Sequence, residues 1–155
     1  MTVDQLETKV PPLAIVLICA LCMIAIARVF PGPAPVADVG RVLAVFCLLA
    51  GGFLAVAGVL AFRRAQTTVD PMLHRRATAL VTTGVYSITR NPMYVGLLFV
   101  LLALGCYLSS PYAMVMCVLF VLYMNRFQIR PEEALLESIF KDAYRAYRAR
   151  VRRWL

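Results

Sequence analysis

The chain has 155 residues, of which 62% are hydrophobic and 15% charged, and its mean hydropathy is +0.79. Soluble domains average about 45–50% apolar and about 25% charged residues, and a domain of this length has too little interior to bury the excess. The composition excludes an ordinary soluble enzyme, a disordered chain and a small disulfide scaffold. We expect a single all-α, polytopic membrane domain over residues 1–155.

The net charge is +8, from 16 Lys and Arg against 8 Asp and Glu. Because the basic residues lie between apolar runs, they have no broad water-facing surface on which to collect. We therefore expect membrane lipids, through their anionic headgroups, to be the partners of this charge, and we expect no nucleic acid.

Three stretches contain no Asp, Glu, Lys or Arg: residues 10–27, 42–62 and 91–125, of 18, 21 and 35 residues. A helix needs roughly 20 residues to cross a ~30 Å hydrocarbon core. The first two stretches are predicted to be single spans. The third is too long for one span and contains Ser109, Ser110 and Pro111, which predicts a tight hairpin of helices at about 92–108 and 111–126. The sequence thus predicts about four transmembrane helices.

The first apolar run is longer than the core of a signal peptide, and Lys9 is the only basic residue in front of it, which favours a retained helix. Arg and Lys concentrate in residues 63–90 and after residue 125, whereas the 28–41 loop has only Arg28 and Arg41. By the positive-inside rule, the two basic segments are expected to face the cytoplasm. With four spans, both termini lie on that side.

The segment after Pro131 is predicted to be an amphipathic helix. Apolar and aromatic residues recur at steps of three and four, charged residues fill the other side, and Trp154 suits an interface. Two interpretations are open: the helix lies on the headgroups, or it covers a site between the spans.

Cys19 and Cys22 form a CxxC pair inside an apolar run. No second pair accompanies them to complete a zinc site. We interpret both as structural residues, and no metal site is predicted.

Two polar segments, residues 80–96 and 125–133, lie at the two ends of the predicted hairpin. Since a hairpin brings its own ends together, their charged and aromatic side chains should converge at one membrane boundary, where polar groups tend to mark function. The converging residues are Arg90, Tyr94, Arg126, Arg130, Glu132 and Glu133. The alternative is structural: Asn91–Pro92 and Pro131 with its two glutamates are good helix starts, and the arginines can anchor helix ends to headgroups.

The run LVTTGVYSITRNPMYVG at residues 80–96, RPEE at 130–133 and FKDAYRAYRARVRRWL at 140–155 resemble the isoprenylcysteine carboxyl methyltransferase family, to which membrane phospholipid N-methyltransferases are related. The resemblance covers roughly residues 66–155, which would form the catalytic region, while residues 1–62 form two spans. Two positions depart from the family pattern: Asn91 stands where His is common, and Lys141 where Gly is common. Asn91 cannot exchange a proton near neutral pH.

The resemblance implies S-adenosylmethionine-dependent methyl transfer at the cytoplasmic membrane face. The chemistry of that cofactor fits these residues: Arg90 can pair with its carboxylate or with an acidic acceptor, and Tyr94 can offer its ring to a cation. Glu132 or Glu133 can accept hydrogen bonds from the ribose hydroxyls or the ammonium group. Backbone groups of residues 81–84 would hold the adenine. The candidate catalytic residues are Arg90 and Glu133. The candidate cofactor-binding residues are Val81, Gly84, Tyr86, Arg90, Asn91, Pro92, Tyr94, Glu132 and Glu133.

His74, the single histidine, is expected to be a solvent-facing loop residue and not a base. The acceptor is expected to be amphiphilic or lipid-like, and prenylated protein, phospholipid amine and small isoprenoid or thiol acceptors are all open. The alternative functions are an NADPH-dependent membrane reductase of related fold and a non-catalytic membrane scaffold.

Overall fold

A computed structural model describes residues 10–32, 37–64 and 79–155. Five helices account for most of them: α1 (Pro12–Val29), α2 (Ala37–Arg64), α3 (Pro92–Leu108), α4 (Val115–Met124) and α5 (Arg130–Arg150). A short 3₁₀ turn, Gly84–Ser87, precedes α3. Within these ranges there is no strand, and a single parallel bridge joins Thr89 to Arg152. The all-α prediction is confirmed for this part of the chain.

Two helices are long and apolar enough to cross a membrane. They are Pro12–Val29 and Asp38–Arg64, with mean hydropathies of 2.5 and 2.6. Helix α3 is apolar but has 17 residues, which is about 25 Å of helix, and α4 has 10 residues. The four transmembrane helices predicted from the sequence are therefore not confirmed.

Helices α2 and α3 pack antiparallel at very short range. A Cβ atom added to Gly51 would lie 2.8 Å from the carbonyl oxygen of Gly96, and one added to Gly96 would lie 2.8 Å from that of Gly51. Small residues permit this approach where lipid provides no hydrophobic force between helices. The contact fixes the start of α3 beside the end of α2.

The predicted hairpin is present, with α3 at the predicted bounds. Its second helix begins at Val115 and not at 111, because residues 111–114 form turns. Ser109 reverses the chain in a left-handed conformation, φ 50°, and Ser110 Oγ donates to the carbonyl of Phe30 at the end of α1 (3.0 Å). Met23 of α1, Leu101 of α3 and Phe120 of α4 are fully buried where the three helices meet.

The predicted helix start at Pro131 is close to the observed one, since α5 begins at Arg130 with Pro131 in its first turn, but no loop separates it from α4. Helix α4 continues through one π-helical turn, Asn125–Ile129, directly into α5. A proline inside an α-helix removes a hydrogen bond and crowds the carbonyl four residues earlier. The wider π turn immediately before Pro131 relieves that crowding. One continuous helical path therefore carries Glu132 and Glu133 away from α4.

Asn91 also differs from expectation. It occupies the N-cap position of α3, with Pro92 in the first turn, but its side chain makes no capping hydrogen bond. Its Nδ2 instead donates to the carbonyl of Arg153 (3.0 Å). The α3 start is thus tied to a segment about 60 residues further along the chain.

Helix α5 is kinked at Lys141, where φ is 46° and ψ −119°. It ends at Arg150, so Val151 and Trp154 lie beyond the helix predicted to contain them. Residues 151–155 form a short non-helical tail.

Lys141→Gly is expected to raise the melting temperature by roughly 2–4 °C, because glycine adopts this backbone conformation without the Cβ strain, a relief of about 1 kcal/mol. Lys141→Ala removes the same charge but keeps the Cβ atom, and should give no increase. Thermal unfolding of both variants in detergent distinguishes them. An equal increase in both would assign the effect to the side chain and not to the backbone.

Candidate functional site

A cavity of about 430 Å³ lies where the start of α3 meets the start of α5. Its walls are mostly apolar, and this volume is within the usual range for small-molecule sites. Its apolar side is formed by the first residues of α1 and the last turns of α2. Those residues include Leu13, Ala55, Val59 and Phe62.

Tyr94 and Glu132 join α3 to α5 across the cavity. The Tyr94 hydroxyl donates to Glu132 Oε1 at 2.6 Å, and both side chains line the cavity. Each residue is under 10% exposed. A hydrogen bond this short to a buried carboxylate is charge-assisted, and it fixes the direction of Glu132.

Glu133 is held between two arginines. Arg153 donates from Nε to Oε1 (3.1 Å) and from Nη2 to Oε2 (2.6 Å). Arg90 approaches through Nη2, 3.2 Å from Oε1. The side chains of Arg90 and Glu133 are each 9% exposed, so this cluster is nearly removed from water. The hydrogen bond to Glu133 raises the pKa of Arg153 above its usual value.

Arg90 has unused hydrogen-bonding capacity. Its Nε and Nη1 atoms are buried and have no hydrogen-bond partner in the described part of the protein, and the residue lines the cavity. Buried guanidinium donors are normally paired, since leaving them unsatisfied is costly. These two nitrogens could therefore donate to an anionic or carbonyl group in the cavity.

Three tyrosines close the cavity from the side of α5 and the 3₁₀ turn. Tyr86, Tyr144 and Tyr147 line it, and the Tyr147 hydroxyl donates to the backbone carbonyl of Tyr86 at 2.7 Å. Burial raises the pKa of Tyr144 to about 12 and raises the pKa values of Tyr86 and Tyr147. All three phenols are therefore protonated at neutral pH. Residues of α5 therefore form one wall of the cavity, which agrees with the second interpretation of the amphipathic helix, that it covers a site between the spans.

Most of the predicted site residues meet. Seven of the nine candidate cofactor-binding residues line the cavity: Val81, Tyr86, Arg90, Asn91, Tyr94, Glu132 and Glu133. Gly84 does not; it is exposed and starts the 3₁₀ turn with φ 63°. Pro92 is buried in the first turn of α3, outside the lining.

Arg126 and Arg130, which the sequence predicted to converge with these residues, are not among the residues that line the cavity. The Arg126 guanidinium lies 5.3 Å from the centre of the Phe127 ring, and Arg130 is exposed. Both arginines flank the π turn, whereas Glu132 and Glu133, just beyond it, line the cavity. His74 lies outside the described residues.

Sequence reasoning missed Arg153, which provides the second cation for Glu133. It is one of eight basic residues after residue 125, and their pattern does not single it out. Trp154, predicted to be an interface anchor, instead donates from Nε1 to Asn125 Oδ1 (3.1 Å). Asn125 lies in the π turn, and such turns are frequent at functional sites.

The described helices surround a cavity of small-molecule size, and two of them are long and apolar enough to cross a membrane. The chain belongs to the phospholipid methyltransferase family, whose sequence profile matches residues 39–143. The resemblance to the related isoprenylcysteine carboxyl methyltransferase-like membrane methyltransferases is confirmed. Membership makes the protein a membrane methyltransferase.

A protein of Haemophilus influenzae, described as "Uncharacterized protein", is 48% identical over 63 residues, which are 41% of this chain and 100% of that relative. No solved structure matches the chain.

Proposed function

We propose that the protein transfers a methyl group from S-adenosylmethionine to an amphiphilic or lipid-like acceptor at the cytoplasmic membrane face. The observation that carries the proposal is Arg90, with two buried, unpartnered nitrogen atoms, Nε and Nη1, at the polar end of a mostly apolar cavity. The family to which the chain belongs supplies the reaction class.

The lining residues fit the cofactor chemically. Its carboxylate would satisfy the free donors of Arg90, and its ribose hydroxyls or ammonium group would donate to Glu132 or Glu133. Tyr86 and Tyr94 offer aromatic faces, which suit an adenine and a cation. When bound, S-adenosylmethionine supplies an electrophilic methyl group attached to a sulfonium.

The residues of the chain contribute binding and orientation. Methyl transfer is an in-line displacement that needs no protein nucleophile, so holding the two reactants in line supplies most of the catalysis. Tyr144 and Tyr147 on α5 cover the polar end and limit its contact with water. Arg90 and Glu133 remain the proposed catalytic pair, as groups that orient the reacting molecules.

The apolar wall favours an acceptor with a hydrocarbon part. Ala55, Val59 and Phe62 lie on the last turns of a helix that is long enough to cross a membrane. A lipid-like molecule can place its chain along this wall with its head beside Arg90. Entry from the side of the bilayer follows from that geometry.

We also propose that α3 and α4 complete a four-span arrangement, with the cavity and both termini in the cytoplasm. The apolar α3–α4 hairpin and the Arg asymmetry support this orientation. A reporter fused after Leu155 is expected to be active only on the cytoplasmic side. Activity confined to the outer side would contradict the arrangement.

The direct test of the function uses protein purified in detergent. We expect S-adenosylhomocysteine to bind, measured by calorimetry, and NADPH not to bind. Mass spectrometry of membrane extracts incubated with methyl-labelled S-adenosylmethionine should reveal a labelled amphiphile and so identify the acceptor. Binding of NADPH alone would favour the reductase, and binding of neither would favour a non-catalytic scaffold.

A further inference from the structure

The tail, residues 151–155, is fastened along the start of α3. The Arg90 amide donates to the carbonyl of Arg152 (2.9 Å). The carbonyl of Arg153 accepts from Thr89 Oγ1 (3.2 Å) and from Asn91 Nδ2 (3.0 Å). Thr89 is fully buried, and both side-chain bonds to the Arg153 carbonyl are partly buried. They fix the backbone from which the Arg153 side chain projects.

The Arg153 side chain is itself directed at Glu133. Its Nε and Nη2 atoms form the two-pronged contact with the carboxylate, at 3.1 and 2.6 Å. Its Nη1 also points to Asn125 Oδ1 at 3.4 Å, a weak contact, and the same oxygen accepts from Trp154 Nε1. A planar fork held at several atoms leaves Glu133 little freedom to turn.

This arrangement determines what Arg90 can do. Arg153 pairs with both oxygens of Glu133, and Arg90 approaches Oε1 as well, through Nη2. Its Nε and Nη1 are left without partners. Without Arg153, the buried Glu133 carboxylate would lose its main counter-charge, and Arg90 is the nearest cation able to replace it. Arg90 would then pair more fully with Glu133 and would no longer be available to bind the ligand.

We propose that Arg153 is a positioning residue of the ligand site: by pairing with Glu133 it keeps the two donors of Arg90 available for the anionic group of the ligand. This inference rests on the proposed function, because the ligand in question is the proposed cofactor. The same geometry gives Asn91 a supporting role, since its side chain holds the backbone of Arg153.

The test compares Arg153→Met and Arg153→Lys with the matched control Arg152→Met, using S-adenosylhomocysteine as the probe in calorimetry on detergent-purified protein. Arg152 is the neighbouring arginine, and its side chain is exposed. We expect binding to weaken about tenfold or more in Arg153→Met. Arg153→Lys should fail to restore it, because an ammonium cannot form the planar fork. Arg152→Met should bind within about twofold of the parent.

A double-mutant cycle with Glu133→Gln separates positioning from a general structural role. If Arg153 acts through Glu133, adding Arg153→Met to Glu133→Gln should weaken binding by little more than Glu133→Gln alone. A purely structural role predicts that the two losses multiply. Asn91→Ala, which leaves both charges in place, should bind between the parent and Arg153→Met. Melting temperatures identify any variant that does not fold; if Arg153→Met does not fold, Arg153→Lys, which keeps the charge, still decides the matter.

The outcomes are distinct. Binding by Arg153→Met equal to that of the parent overturns the positioning role alone, as does an equal loss in Arg152→Met or multiplying losses in the cycle. If the parent protein itself does not bind the probe, the proposed function fails, and the positioning role fails with it.

Discussion

Arg90→Lys is expected to lower the single-turnover rate of methyl transfer by about a hundredfold in protein that remains folded. The guanidinium pairs with Glu133 through one nitrogen and keeps two buried donors for a ligand. Lysine carries the charge but cannot present two donors in one plane. A shift of about 1 Å in a bound reactant costs on the order of a hundredfold in rate.

Arg130→Lys is the matched control, because Arg130 is exposed and is not among the residues lining the cavity. If an arginine here only anchors the protein to headgroups, Lys replaces it with little change. The control variant should therefore react at the parent rate. A rate for Arg90→Lys within about threefold of the parent would make Arg90 an anchor and remove it from the site.

Glu132→Gln is expected to weaken S-adenosylhomocysteine binding by roughly 10- to 150-fold, the effect of losing a charge-assisted hydrogen bond of about 1.5–3 kcal/mol. Glutamine keeps the size and helix propensity of the residue and can still accept from Tyr94. A loss of binding affinity would therefore be due to the removed negative charge of Glu132. Calorimetry with the purified variant measures it, and Glu133→Gln should show a loss at least as large because two arginines pair with that carboxylate.

The control for this pair is Glu137→Gln on the same helix. Glu137 pairs with Arg145 and Arg148 on the outer side, and the hydrogen bond from Arg145 lowers its pKa. Its replacement should leave probe binding unchanged. Parent-like binding by both Glu132→Gln and Glu133→Gln would assign these glutamates to helix stabilisation alone, an effect of about 0.3–1 kcal/mol through the helix dipole.

The core of the candidate site could be predicted from the sequence because it follows from local folding. A charge-free run broken by Ser109, Ser110 and Pro111 closes on itself, and closure brings Tyr94 beside Glu132 and Arg90 beside Glu133. The bounds of α3 were predictable for the same reason. A proline and a polar turn mark its two ends.

The remaining features depend on contacts between distant parts of the chain. Arg153 reaches Glu133 only because the tail lies against Thr89 and Asn91, and no periodic pattern predicts that pairing. Pro131 with two acids correctly indicates a helix start, but this pattern does not show that α4 runs into that helix through a π turn without a loop. Arg126 and Arg130 were predicted at the site and are not among the residues that line the cavity.

Because α4, the π turn and the first part of α5 are continuous, they are expected to move together as one rigid unit. No loop separates α4, which packs against α1 and α3, from the start of α5, which carries Glu132 and Glu133. Arg90 and Tyr94 lie at the start of α3, on the other arm of the hairpin. Helices in a bilayer tilt to match its hydrocarbon thickness. In the four-span arrangement proposed above, a change in the tilt of α4 would move the glutamates relative to Arg90 and Tyr94, and the acyl-chain length of the surrounding lipid would then affect how tightly the cavity closes.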